Sequence, residues 1–279
     1  MIISGLNFPS TKITVKTLAK PDSYCLQPFP STKITVKTLA KPPSYGTINS
    51  GIPDKQGMVN YTKFYRDPKL LRALPKYLSE KFPNGAQIYC YACSDGSEPY
   101  TLAIEMMEQK INKFFPLQCF DLSRERIDEV KQGIINIFNK EIQTRPALNK
   151  YFKEQKYGTT YASIFNTYNP TDELKEKITA QEANILEDIE KEGKFEKPAV
   201  VMFRNAWYLL SPPYTSKDQR PALAKALYDR LKHGSLLILG RSEFSGSTDF
   251  MIEKAGFKPV KKEEFKYPEF NNYFVYEKP

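Results

Sequence analysis

The sequence predicts an α/β fold: a mostly parallel twisted sheet with helices on both faces and an antiparallel edge strand. Three observations predict it. From Val59 onward, short apolar runs alternate with amphipathic helical runs, the pattern of strand–helix–strand units rather than of hairpins. The stretch Gln87–Ile104 reads without interruption as buried strand, tight loop and helix start. Two of the apolar runs end on polar residues suited to hold a ligand, Asp121 after one and Arg204-Asn205 after another.

Residues 1–57 precede that pattern as a lysine-rich arm. Within it Phe8–Tyr24 recurs as Phe29–Tyr45, and only Asp22 against Pro43 differs. In each copy Ile13/Val15 or Ile34/Val36 alternates with Thr and Lys, so each could form one short strand between prolines. Two copies are too few for a solenoid, and the arm is expected to be mobile or loosely paired. Residues 58–279 read as one domain.

The domain begins with a helix over Asp67–Phe82, which carries Leu70, Leu71, Leu74 and Leu78 on one face, Pro68 at its start and Pro75 awkwardly inside. Ile88–Ala92 is apolar and aromatic, as a central strand requires. Ser94-Asp95-Gly96-Ser97 is turn chemistry, with Gly96 free to take a positive φ. Glu98-Pro99 then opens a helix reaching about Lys113, with an acid at the positive end of its dipole. Leu117–Leu122 is the next strand, and Ser123 caps the helix that follows, with Arg126 where a full capping box has Glu or Gln.

Residues 135–197 are mostly polar, helical in patches across Thr171–Glu192, and suggest no chemistry. Pro198–Phe203 is a buried strand. Asp218–Lys232 is an amphipathic helix closed by His233-Gly234, with the glycine as C-cap. Ser235–Leu239 is a strand, Ser247–Ala255 a helix, and Phe257–Val260 and Tyr273–Tyr276 are closing strands.

Composition excludes several functions. No run of about 18 apolar residues exists, so a membrane span is not expected. The start of the chain lacks the basic and apolar regions of a secretion signal, and four unevenly spaced cysteines suit a reducing cytoplasm. Cys90 and Cys93 form a CxxC, but Cys25 and Cys119 are isolated and His233 is the sole histidine, so a tetrahedral metal site lacks ligands and none is expected. Of the net charge of +9, +5 falls in residues 1–60. A solvated tail accounts for that better than a nucleic-acid partner, which needs a basic face with interleaved aromatics.

Residues at strand C-termini converge on a ligand in such a sheet. Asp121 lies 25 residues beyond Gly96, near the spacing at which a carboxylate accepts both protons of a ribose hydroxyl pair. The loop has one glycine and no basic residue, so it does not suit a pyrophosphate. A ribose-bearing ligand without phosphate fits, and S-adenosyl-L-methionine is the commonest. Its cationic sulfonium would be helped by Glu98 and Asp95.

The stretch Ala92-Cys-Ser-Asp-Gly-Ser-Glu-Pro-Tyr-Thr-Leu-Ala103 resembles the signature of CheR-type methyltransferases, the chemotaxis receptor glutamate methyltransferases. Four further segments match that family in order: Val59–Pro68, Phe120–Ser123 with Gly133, Met202–Asn205 and Leu231–Glu243. The resemblance implies a Rossmann-like methyltransferase fold and a protein substrate carrying glutamate side chains. It implies that Thr62, Arg66, Ala92, Glu98, Asp121, Leu122, Asn205 and Ala206 contact the cofactor. Arg66 would lie near the methyl-transfer site, where a guanidinium orients a substrate carboxylate. The family's Arg-Asn-x-x-x-Tyr-Phe segment departs here: Leu209 stands at the tyrosine position, and Tyr208, one residue earlier, is the catalytic candidate. The family's N-terminal helical domain has no counterpart in residues 1–57. Three alternatives stay open: another methyl acceptor, a sensor or scaffold that binds the cofactor without catalysis, and a nucleic-acid binder using the basic arm.

Overall fold

The computed structural model describes residues 64–138, 146–155, 165–240, 246–260 and 274–279. The duplicated arm and Thr62 lie outside them. The chain opens with helix α1 (Pro68–Lys81), which passes Pro75 without breaking and buries Leu70, Leu71, Leu74, Pro75 and Leu78. Strand β1 (Gln87–Tyr91), helix α2 (Ser97–Glu108) and strand β2 (Leu117–Asp121) form the first strand–helix–strand unit. Helix α2 stops short of Lys113, because Lys110 turns into the left-handed region at φ 57°. The Ser123 side chain accepts from the Arg126 N–H to start α3 (Arg124–Gln132), and Gly133 ends it at φ 70°.

A second, small sheet follows where the sequence promised only polar chain. Strands β3 (Ile135–Phe138), β4 (Phe152–Gln155) and β5 (Phe165–Pro170) pair antiparallel in the order β3-β5-β4. Its apolar contribution rests on few side chains, among them Ile135, Ile137, Phe152 and Tyr168, which join the core around α1 and α2. A period-two signal carried by one or two residues per strand is too brief to separate from loop. The helical patch expected over Thr171–Glu192 divides into α4 (Asp172–Lys175), strand β6 (Ile178–Glu182) and α5 (Ile185–Asp188). Strand β6 is at the sheet edge with no fully buried side chain, so its composition is polar.

Strand β7 (Ala199–Met202), helix α6 (Arg220–Arg230), strand β8 (Leu236–Leu239), helix α7 (Gly246–Ala255), strand β9 (Lys258–Pro259) and strand β10 (Phe274–Glu277) complete the fold. Helix α6 ends with extended Leu231, so Gly234 (φ 76°) serves the next turn and not the helix cap. The main sheet runs β6-β2-β1-β7-β8-β10-β9. The first five strands are parallel, and β10 returns antiparallel between β8 and β9. This is the fold class the sequence predicts.

The apolar strands bury both faces. Ile88, Cys90, Leu117, Cys119, Val200 and Met202 face the helices α1 to α3. Their neighbours Tyr89, Tyr91, Phe120, Val201 and Phe203 face the layer of α6, α7 and Trp207. Alternation of side chains across the pleat makes two cores from one continuous apolar run. The chain leaves β1 toward β2 and β6, then crosses to β7 on the other side. That reversal opens a crevice at the carboxyl ends of β1 and β7. Among the described residues no helix is long and apolar enough to cross a membrane.

Candidate cofactor and active site

The crevice holds a cavity of about 510 Å³, within the range of small-molecule sites. One wall grows from β1. After Tyr91 the backbone turns through Ala92 (φ 53°), Ser94 (φ 51°) and Gly96 (φ 84°). Gly96 is required twice over, since a Cβ there would also meet Tyr100 and Val130 at 3.1 Å. Asp95 Oδ1 accepts from the Ser97 N–H at 2.9 Å and so starts α2. Left-handed alanine and serine are costly conformations, and they bring this loop's backbone to the cavity.

Asp121 ends β2 as a preset acceptor. Its Oδ2 accepts from the Ser94 N–H at 2.8 Å and its Oδ1 from the Ser123 N–H at 2.9 Å. Burial pushes its carboxyl above the ordinary value, while the Ser123 and Ser94 N–H groups favour the ionised form. Each oxygen keeps lone-pair capacity for a further donor.

A charge cluster stands opposite. The Arg204 side chain is fully buried and pairs with Glu98 Oε2 at 2.5 Å and Asp67 Oδ2 at 2.6 Å. It ties the end of β7 to the start of α2 and to the residue that caps α1. Burial raises the Glu98 carboxyl, with Arg204 and Arg66 opposing and Asp67 adding to the rise. Asp67 and Asn205 are also left-handed, at φ 55° and 60°.

The structure brings Arg66, Ala92, Glu98, Asp121, Leu122, Asn205 and Ala206 to the wall of this one cavity. Tyr208 is not among the wall residues. Leu209 and Leu210 are, and so is Tyr214, whose ring meets that of Tyr208 edge-on at 5.6 Å. Asp95 is off the wall too; its carboxyl feels Arg126 instead, so only Glu98 of the two expected acids faces the cavity. Sequence reasoning missed the wall built after β6, Ala183 to Leu186, and the segment from Pro213 to Gln219. An Asn N-cap at Asn184, whose side chain accepts from the Leu186 N–H, was the one local signal. His233 is exposed and not among the wall residues. Among the described residues no group of three or more His, Cys, Asp or Glu could hold a metal.

The wall suits an adenosine ligand. It offers one carboxylate anchored by backbone and the apolar Leu122, Ile185, Leu186 and Leu209, and of its two arginines Arg204 is already paired with Glu98 and Asp67. Two buried polar atoms of wall residues, Ser94 Oγ and Arg204 Nε, have no hydrogen-bond partner among the described residues. Buried polar groups of this kind call for a partner that a polar ligand can supply.

Residues 60–258 match the family model described as CheR methyltransferase, SAM binding domain. The chain is 28% identical over 184 residues to the chemotaxis protein methyltransferase of Vibrio anguillarum, covering 64% of this chain and 61% of that protein. It is 27% identical over 200 residues to the chemotaxis protein methyltransferase of Borreliella burgdorferi, covering 66% and 64%. It thus spans less than two thirds of the length of these curated relatives. Among solved structures it is similar to a TehB-like SAM-dependent methyltransferase from Corynebacterium glutamicum, at 12% identity and a TM-score of 0.39 over 74% of this chain and 86% of that one. The matched domain makes S-adenosylmethionine the cofactor, and on that match the chain belongs to the CheR methyltransferase family.

Proposed function

We propose that the protein is an S-adenosylmethionine-dependent methyltransferase that acts on glutamate carboxylates of a protein by in-line transfer. The observation that carries this reading is the presence of Arg66 on the same cavity wall as Asp121, Glu98 and Asn205. When bound, the cofactor supplies a methyl group on a cationic sulfur. Asp121 accepts the ribose hydroxyls, Leu122 covers an apolar face, and Ala92, Asn205 and Ala206 frame the nucleoside. Glu98 offsets positive charge at the amino-acid end. Thr62 is a further expected contact, outside the described residues.

The acceptor needs little help. A glutamate carboxylate has a pKa of about 4.3 and is ionised at neutral pH, so no general base is required. Arg66 orients it through two parallel hydrogen bonds, and alignment of the carboxylate with the methyl group is what the transfer then depends on. Cys93, also on the wall, does not compete as a nucleophile. Its contact with the Cys119 thiol draws its pKa down, but burial and the Asp121 charge leave it above the ordinary thiol value. The names of the relatives, chemotaxis protein methyltransferases, support a protein acceptor. A second reading, a cofactor-binding sensor or scaffold, is favoured by Leu209 on the wall, where the family carries tyrosine.

The test uses cofactor labelled in the methyl group and receptor cytoplasmic fragments as acceptor. A carboxyl ester releases its label as volatile methanol in alkali, so alkali-stable label would overturn the carboxylate assignment. Arg66→Ala should abolish transfer while S-adenosylhomocysteine still binds by calorimetry. Binding by the wild type without transfer to any fragment would favour the sensor.

A further inference from the structure

Next to the Asn184–Leu186 wall lies a buried ion network that the chemistry above does not use. Asp188, the last residue of α5, is 1% exposed. Three donors reach it: Tyr91 Oη at 2.6 Å, Lys191 Nζ at 2.9 Å and Lys194 Nζ. Lys191 is an outlying partner, its side chain 56% exposed, whereas that of Lys194 is 10% exposed.

Lys194 is caged as well as paired. Its ammonium lies 4.1 Å from the Phe120 ring centroid, 5.3 Å from that of Tyr89 and 5.6 Å from that of Tyr91. Tyr89 Oη donates to its backbone carbonyl at 2.8 Å. A desolvated ammonium over aromatic faces is attracted to them, and the adjacent carboxylate offsets the rest of its burial cost. Two cage members belong to the cavity's frame: Tyr91 lines it, and Phe120 immediately precedes Asp121.

Helix α5 needs such an anchor. It has four residues, of which only Ile185 and Asp188 are buried, and a helix that short has no stability of its own. Yet its first two residues, Ile185 and Leu186, are wall residues.

We propose that Lys194 is a positioning residue for cofactor binding: caged by Tyr89, Tyr91 and Phe120, its ammonium holds Asp188 inward and so fixes the Asn184–Leu186 wall against the strand ends that carry Tyr91 and Asp121. The inference rests on the cavity being the cofactor's place. The network does not touch the ligand; it sets where the wall stands.

The experiment is calorimetry with S-adenosylhomocysteine, run well below each variant's melting temperature, on the full chain. Lys194→Met should weaken binding roughly tenfold, an ordinary coupling between contacting residues, and Asp188→Asn should do the same. The double variant should bind no more weakly than the poorer single, because both act through one contact. Lys194→Arg should recover part of the loss, and Lys191→Met should leave affinity unchanged. Lower melting with wild-type affinity in Lys194→Met would reduce the pair to a fold-holding role and overturn the inference. Should that variant not fold, unchanged affinity in Asp188→Asn overturns it equally. A loss in Lys191→Met as large as in Lys194→Met would show that the summed charge near Asp188 matters and not the caged ammonium, and the assignment to Lys194 would fall. If the wild type itself does not bind, the cavity reading fails first and takes the inference with it, an outcome distinct from the others.

Discussion

Asp121 combines two tasks that mutation can separate. Its carboxylate ties the loop after β1 to the start of α3 through the Ser94 and Ser123 N–H groups, and its remaining acceptor capacity faces the cavity. Asp121→Ala should weaken S-adenosylhomocysteine binding by about 1–3 kcal/mol, the size of lost hydrogen bonds to a charged group. Asp121→Asn keeps an acceptor on one side and should lose less; equal affinity in both variants and wild type, measured by calorimetry, would show that the ribose sits elsewhere. Asp121 and Glu98 were legible in the sequence because their value is chemical, an acid at a predicted element end, whereas Arg66 was legible only through the family resemblance. Arg204 was legible as a polar residue at the end of an apolar run, but not as the centre of a buried ion cluster. Its partner Asp67 lies 137 residues away, and no local pattern announces a pair closed by the fold. Tyr208 shows the converse: its chemistry was right for the site, but the turn over Trp207–Leu210 turns Leu209 and Leu210 to the wall.

Among the elements, those with strong periodicity were readable and those at edges were not. Helix α1 and the buried strands β1, β7 and β8 declare themselves by apolar runs, whereas β6 looks polar because one sheet edge gives it little to bury. Helix α3 carries a pH-sensitive feature of its own. Burial pushes the Glu129 carboxyl up to about 7, although Arg126 lies 2.7 Å away and opposes the shift. The folded state therefore keeps a proton that the unfolded chain releases from about pH 4.5, so this group's contribution to stability falls as pH rises from 4.5 to about 7. Glu129→Gln removes that loss. The stability of the variant relative to wild type should grow across the window by up to roughly 3 kcal/mol. Denaturant melts at several pH values check this, and a pH-independent difference would mean that Glu129 ionises normally in the fold.

At the scale of the whole molecule, the fold class followed chiefly from alternation, since a sheet buried on both faces must write its strands as apolar runs. What alternation could not show was the small antiparallel sheet between α3 and α4, whose strands need only one or two core residues each. The boundary placed at residue 58 is itself a proposal, supported by a family match that starts at residue 60. Deleting residues 1–57 should leave S-adenosylhomocysteine affinity unchanged in calorimetry; a large loss would make the arm part of the binding unit. One core residue has a practical consequence. Trp207 is the sole tryptophan of the chain, fully buried and packed edge-on against Phe203. It follows directly after Ala206 of the cavity wall. Every photon this protein emits from indole thus originates beside the cofactor site, so the chain carries a built-in optical gauge of occupancy that needs no label and no acceptor.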